Sequence, residues 1–401
     1  MPCVYIHQAD ETLVGNRNLS RKVGEWPHLA LTLLPRDILL VGAEGVAVSG
    51  VRCFIPNVRF GGMVRARGSR RDTVLVDLEH SGRAIRICLR QLPGYEEAIE
   101  SLERSTSSVW TAKLDVSALD WIGFDIGEAI AVADDFLLLL SFALSRRVMW
   151  VSLKTMHPGI THREVRYGTA MNLKAFPGSA MGDGALTLGA RRVAEHPLSE
   201  FLAAALPAYW RLERKEREAL EAAIRLLCES IQQFFSPAAV TLVGRAFETL
   251  CSRFLSKSER DYLSGDSQPE RDLKDQLASE LSKFARSWAS LDKPSSEEWA
   301  ARLDGHVSNA LRRGFKLQLC SLLDRWLTMT GNTYEPAWVN QFVNARNSAA
   351  HSGPIKEKEF DAWVKGATLL SRVVLKILGY AGLYVDFWGR GERASEWSTL
   401  R

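Results

Sequence analysis

The feature that most constrains the fold is a change of period partway along the chain. Up to about residue 125 the apolar residues come in short runs rich in β-branched side chains, at 38–41, 46–55, 73–78, 84–89 and 108–116. Gly42, Gly45, Gly61, Gly62, Gly68 and Gly82 punctuate them. Such runs between glycines read as strands and turns, and several in succession predict a sandwich or barrel-like sheet. Residues 126–144 then read as a buried helix, 148–153 as one more strand, and the Gly-, Ala- and Ser-rich segment 168–190 as a loop or linker. From Leu198 onward the apolar residues recur at three- and four-residue steps, the period of helices buried along one face. Strands first and helices after predict an α+β protein. The expected division is a β-rich N-terminal domain over 1–190, an α-helical domain over 191–387 and a tail over 388–401.

Punctuation within the helical part is legible. The mixed-charge run Glu213 to Glu218 starts a helix with a solvated face, reaching to about residue 235. Ser236 followed by Pro237 is a cap and a first-turn proline, opening a helix to about residue 254. Residues 264–270 form a polar loop before a helix over 272–291. Ser295 and Glu298 have capping-box spacing, and Leu303, Val307, Leu311, Phe315, Leu319, Leu322 and Trp326 form the stripe of the helix that follows. A last helix is expected over 357–379.

Between these lies the stretch that carries chemistry, 336–354. Pro336 suits a first helical turn, and Gly353 with Pro354 suits an exit. Val339, Phe342, Val343, Arg346 and Ala350 share one face of the helix between. This puts an arginine on a stripe expected to be buried, where a charge needs a partner or a wet cleft. Glu248, a carboxylate in an otherwise apolar helix, is the candidate partner. His351 falls in the last turn.

Arginine, a polar residue and histidine suit RNA cleavage without a metal. Arg346 would hold the scissile phosphate through its planar fork. His351 would move a proton at the ribose 2′-OH or the leaving 5′-oxygen. Asn347, four residues before His351, would fix the ring or contact the sugar. A terminal histidine also simply complements a helix dipole, and an arginine there can be a plain salt-bridge residue.

The segment Arg346-Asn347-Ser-Ala-Ala-His351 near the end of a helix, in an all-helical C-terminal region, resembles the Arg-(x4–6)-His motif of the HEPN superfamily. Segments 222–230, 245–250, 137–143 and 146–151 are similar to parts of its ApeA-like bacterial group, which joins a mostly-β N-terminal domain to a C-terminal HEPN domain. The resemblance implies a HEPN-like helical bundle, metal-independent endoribonuclease activity and a toxin-like role in defence against phage. It also implies an N-terminal domain that senses a phage-derived trigger or restrains the toxin, and an acidic residue, here Glu248, facing the motif. The family includes members without catalysis. The alternative expectation is therefore a non-catalytic HEPN-like module binding RNA, a nucleotide or a protein partner.

Spacing bears on the number of chains per site. Five residues of regular helix turn roughly 500°, so Arg346 and His351 point about 140° apart. One copy does not easily aim both at one phosphate, whereas a two-fold axis beside the helix brings the Arg of each copy near the His of the other. A homodimer or higher homo-oligomer is expected, and the resemblance points the same way.

Composition sets outer bounds. The 401 residues suffice for two or three domains, and 46% hydrophobic with 24% charged residues are globular values. A net charge of +4 permits a polyanionic partner such as an RNA substrate without demanding one. Arg312, Arg313 and Lys316 lie off the apolar stripe of their helix and are candidate RNA-guiding residues, or else a solvated face. The cluster Arg65, Arg67, Arg70 and Arg71 is either a second polyanion contact or a charged turn. The six cysteines are scattered without a CxxC pair, and His157 and His162 have no nearby carboxylate cluster. No metal site and no cofactor are expected, and the thiols read as reduced and cytoplasmic. The first ten residues carry no basic-then-apolar leader, and the apolar stretches near 136–144 and 373–385 are too short for a membrane span.

Overall fold

The computed structural model describes residues 3–7, 37–41, 47–56, 58, 73–104, 109–119, 125–156, 163–165, 197–233, 236–261, 267–289, 313–328, 334–349, 357–385 and 391–393. It is an α+β chain in two compact units. Met1–Arg211 and Leu378–Ser395 contribute to the first, and Leu212–Ile377 to the second.

The first unit is built on one antiparallel sheet. Five of its strands are β3 (Gly50–Pro56), β4 (Thr73–His80), β5 (Arg83–Gln91), β6 (Trp110–Ala118) and β7 (Ser152–Thr155), in the order β7-β3-β6-β5-β4 with β4 at the edge. Beyond β7 the sheet continues through β8 (Arg163–Val165) and β2 (Asp37–Val41) to β1 (Cys3–His7). Ser81 and Gly82, at φ 51° and 75°, join β4 to β5 in the two-residue turn whose twist suits a hairpin. Alternation sets the faces. Val51, Cys53, Ile55, Ile85, Ile87, Leu89, Ala112, Leu114 and Val116 point to one side and are fully buried.

Among the described residues a helix, not a second sheet, supplies the apolar cover, where strand spacing predicts a sandwich or barrel. Helix α1 (Tyr95–Arg104) follows β5, and α2 (Ile126–Ala143) packs on β3 and β6. Asp125 caps α2 by accepting from the Glu128 N–H at 3.2 Å. Nearly continuous apolar sequence buries α2 on most sides, with Phe136, Leu139 and Leu140 fully enclosed. Two of its acids, Asp134 and Asp135, accept from the indole N–H groups of Trp150 at 2.7 Å and Trp210 at 2.8 Å. Trp210 belongs to α3 (Pro197–Arg211), which packs on α2 and β4. Phe201 of α3 meets Tyr380 edge-on at 5.4 Å. These contacts place α3 and residues 378–395 with the sheet, although their helical and apolar pattern reads as part of the later domain. The tail expected over 388–401 falls largely outside the described residues; β9 (Leu383–Val385) and β10 (Gly391–Arg393) pair antiparallel.

The second unit is helical. α4 (Arg214–Gln232) opens with a capping box in which the Glu216 carboxylate accepts from the Glu213 N–H at 3.0 Å. α5 (Pro237–Phe254) starts at Ser236, whose hydroxyl accepts from the Ala238 N–H at 3.2 Å. It packs along α4, and against α8 (Phe315–Trp326), α9 (Pro336–Ala349) and α10 (Glu357–Ile377), so it is the hub of the bundle. Between them come a single turn α6 (Lys257–Arg260) and α7 (Gln268–Ala289). Phe247 of α5 and Phe342 of α9 meet at 5.7 Å, both fully buried. Gly366 of α10 lets the Phe342 ring close in, since a Cβ there would sit 2.4 Å from Cδ2. Trp363 of α10 donates its indole N–H to the buried Ser230 hydroxyl of α4 at 3.4 Å. Ser295, Glu298 and the early part of the stripe, Leu303 to Leu311, lie outside the described residues; Leu319 and Leu322 of α8 are fully buried as expected.

Candidate functional site

The candidate site is the last turns of α9, where they cross α5 and the start of α8. Val339, Phe342 and Val343 anchor the helix in the core. Arg346, on the same face one turn later, is half-buried, with 29% of its side chain exposed. The helix therefore carries its arginine out of the core to a rim.

Four neighbours hold the guanidinium. Its Nη2 donates to the Glu248 carboxylate of α5. Its Nη1 donates to the Asn347 side-chain oxygen at 3.3 Å. The Phe315 ring of α8 lies 4.8 Å from Cζ. The stem runs over Gly244 of α5, with Cγ 3.0 Å and Nε 3.3 Å from where a Cβ would stand. Gly244 and Glu248 are one turn apart on the same helix face, so a bare backbone accepts the stem and a carboxylate receives the head. Asn347 is bonded to the arginine side chain, a role its sequence position alone does not announce.

Magnitudes say what this arrangement is for. The Glu248 side chain is 44% exposed, and an ion pair that wet contributes about 0–1 kcal/mol. The pair contributes little to stability, so its chief effect is to fix where the fork points. Two of the guanidinium's N–H groups are engaged by these side chains, and a guanidinium has about five donors in all. Donors beyond these two belong to a side chain that is still 29% exposed at the rim.

Charge on Glu248 also reaches Cys251, one turn further along α5. Burial, with the Glu248 carboxylate adding to it, pushes this thiol up to about 12. It is therefore a core residue and a poor nucleophile.

The other expected residues fall as follows. Arg313 precedes α8 and is tied to α6: its backbone N–H donates to the Arg260 carbonyl at 2.8 Å, and its charge faces Glu259. Glu259 is shared with Arg325 at 2.8 Å, so Arg313 serves a local ion cluster there. Lys316 is exposed, beside Phe315. His351 and Arg312 lie outside the described residues, as do Arg65, Arg67, Arg70, Arg71, His157 and His162. Among the described residues, no three His, Cys, Asp or Glu side chains converge as a metal cluster would. Among them, too, no helix is long and apolar enough to cross a membrane.

The sequence reading does not single out Gly244, and it places Phe315 only in the apolar stripe. A glycine one turn before a lone carboxylate in an apolar helix is the signal that points to the first. Nothing in the sequence pairs Phe315 with Arg346. Comparison of the chain with family models, with curated proteins and with solved structures finds no match.

Proposed function

We propose that the chain is a metal-independent endoribonuclease of HEPN type, with the site at the end of α9. The observation that carries this reading is the guanidinium of Arg346, oriented by Glu248, Asn347 and Phe315 at a half-exposed rim, five residues before His351 in the chain. Arg346 binds the scissile phosphate and offsets charge as the 2′-oxygen attacks phosphorus. The P–O5′ bond breaks, leaving a 2′,3′-cyclic phosphate and a 5′-hydroxyl. His351 takes the 2′-OH proton or protonates the leaving oxygen. Glu248 and Asn347 position the arginine.

The same reading makes the chain a toxin-like effector of bacterial anti-phage defence. The sheet unit is its sensor of a phage-derived trigger, and two copies of the chain complete the site. The support for these parts is the resemblance of the Arg346 to His351 segment and the angular spacing of its two functional groups. The test is incubation of the purified protein with total RNA in excess EDTA, with mapping of the ends. Cleavage leaving 5′-hydroxyl ends, lost in His351→Ala, is the expected result. Abolition by EDTA with rescue by Mg²⁺ overturns it.

One observation favours a second reading. A guanidinium already neutralised by a carboxylate is also what a non-catalytic HEPN-like module would hold. In that case the protein binds RNA, a nucleotide or a protein partner without turnover, and the same incubation leaves the RNA intact.

A further inference from the structure

The sheet of the first unit has a second face, and its chemistry is not that of a solvated surface. On β7, β3, β6 and β5 two adjacent cross-strand rows run side by side. Lys154, Arg52, Asp115 and Cys88 lie opposite one another in the first. Ser152, Phe54, Lys113 and Arg90 do so in the second. Among the described residues of these two rows, four cations thus accompany one carboxylate. That carboxylate is the part of the cluster most withdrawn from water, its side chain only 8% exposed. Asp115 accepts from Arg52 Nε at 2.6 Å and from Arg52 Nη2 at 3.1 Å, and Arg90 donates to the same group. One acid therefore fixes two guanidiniums in place and neutralises only one of them. Both arginines keep exposed surface, 29% and 41% of their side chains.

Aromatic rings sit within this basic field. Phe54 stacks on Trp110 with ring centroids 5.3 Å apart and planes 27° from parallel. Lys154 lies 5.7 Å from the Phe54 centroid. Trp110 is 51% exposed, although an indole is among the most costly side chains to leave in water. A sheet face that offers stacked aromatics among cations matches the two needs of an unpaired polynucleotide. Its bases want π surfaces to stack on, and its phosphates want positive charge along their track. A duplex offers the phosphates alone, since its bases are already stacked on each other.

We propose that this sheet face binds single-stranded nucleic acid, with Trp110 and Phe54 stacking bases and Arg52, Arg90, Lys113 and Lys154 contacting the backbone. The proposal does not rest on the ribonuclease reading. Its geometry lies wholly within the sheet unit, and neither stacking nor phosphate contact uses a 2′-hydroxyl.

Fluorescence anisotropy of a labelled 15-nucleotide oligothymidylate with the full chain tests it, because DNA lacks the 2′-OH that the proposed cleavage needs. Saturable binding that weakens with added salt is expected, with the same-length duplex bound at least about fivefold more weakly. Trp110→Ala and Lys154→Glu should each weaken binding about tenfold, with far-UV circular dichroism unchanged. Two results overturn the proposal: full-strength binding by both folded sheet variants, or equal binding of single strand and duplex. If Trp110→Ala unfolds the chain, Lys154→Glu together with Lys113→Glu decides the matter on the same two criteria.

Discussion

The Cγ of Arg346 lies 3.0 Å from where a Cβ on Gly244 would stand. A glycine inside a helix costs about 1 kcal/mol relative to alanine, so α5 forgoes that stability in giving the arginine its seat. Gly244→Ala is therefore expected to raise the thermal midpoint by a few degrees, because the flexible stem can shift by the few tenths of an ångström required. It should also lower RNA cleavage at least tenfold by moving the fork. A lower midpoint with unchanged cleavage would contradict both halves.

Arg346→Lys should rescue little of the cleavage lost in Arg346→Ala, because an ammonium cannot reproduce the fork between Glu248, Asn347 and a phosphate. Glu248→Gln and Asn347→Ala should cost less than Arg346→Ala, since each removes one support and leaves the guanidinium present. If two chains complete the site, mixing folded Arg346→Ala and His351→Ala chains under conditions of exchange should restore part of the activity. A verified heterodimer that stays inactive would reject the shared site.

Gly366→Ala places a methyl 2.4 and 2.5 Å from two carbons of the Phe342 ring, which is fully buried and has nowhere to go. Overpacking of this kind costs about 1–3 kcal/mol. A lower denaturant midpoint is expected, and Phe342→Leu added to Gly366→Ala should lose less than the two single changes sum to. Strict additivity would mean that the ring and the glycine are not in conflict.

Acid should weaken the sheet unit through Asp115. Burial alone pushes this carboxyl up, but the hydrogen bonds and charges of Arg52 and Arg90 outweigh it and hold the group below the usual carboxylate range. A depressed folded pKa gives stability that is complete above the unfolded value, about 3.9, and is lost as pH falls through the folded one. The urea midpoint should therefore drop between pH 5 and pH 3 (roughly the span over which an aspartate protonates), and Asp115→Asn should shrink that drop while lowering the midpoint at pH 7. An equal drop in both proteins would remove Asp115 from the account.

Much of this architecture was legible because local signals set it. The Ser236-Pro237 start of α5, the α9 boundary at Pro336 and strands β4 to β6 follow from caps, prolines and alternation that act within a few residues. The pairing of Arg346 with Glu248 was also legible, since a charge on an apolar stripe demands a partner and few are available. What was not legible is non-local. Nothing in residues 197–211 shows that α3 packs on β4 and α2, because an amphipathic helix does not name its partner. The cover of the sheet by α2 instead of a second sheet depends on where a helix of fitting length comes to rest. The basic rows across β7, β3, β6 and β5 exist only once the register is set, since their members are scattered from Arg52 to Lys154.

Strand β3 bonds to β6 on one side and to β7 on the other, partners that follow it at residues 110–118 and 152–155. During synthesis the segment Gly50–Pro56 is made long before either neighbour exists. Both of its hydrogen-bonding edges stay open until two long stretches of chain have closed back around it, and closures of that length slow folding. Over that interval a β-rich, largely apolar segment is a template for the wrong strand. Arg52 near its middle and Pro56 at its end are the charge and the missing N–H that discourage a foreign chain from pairing there before the native fold exists.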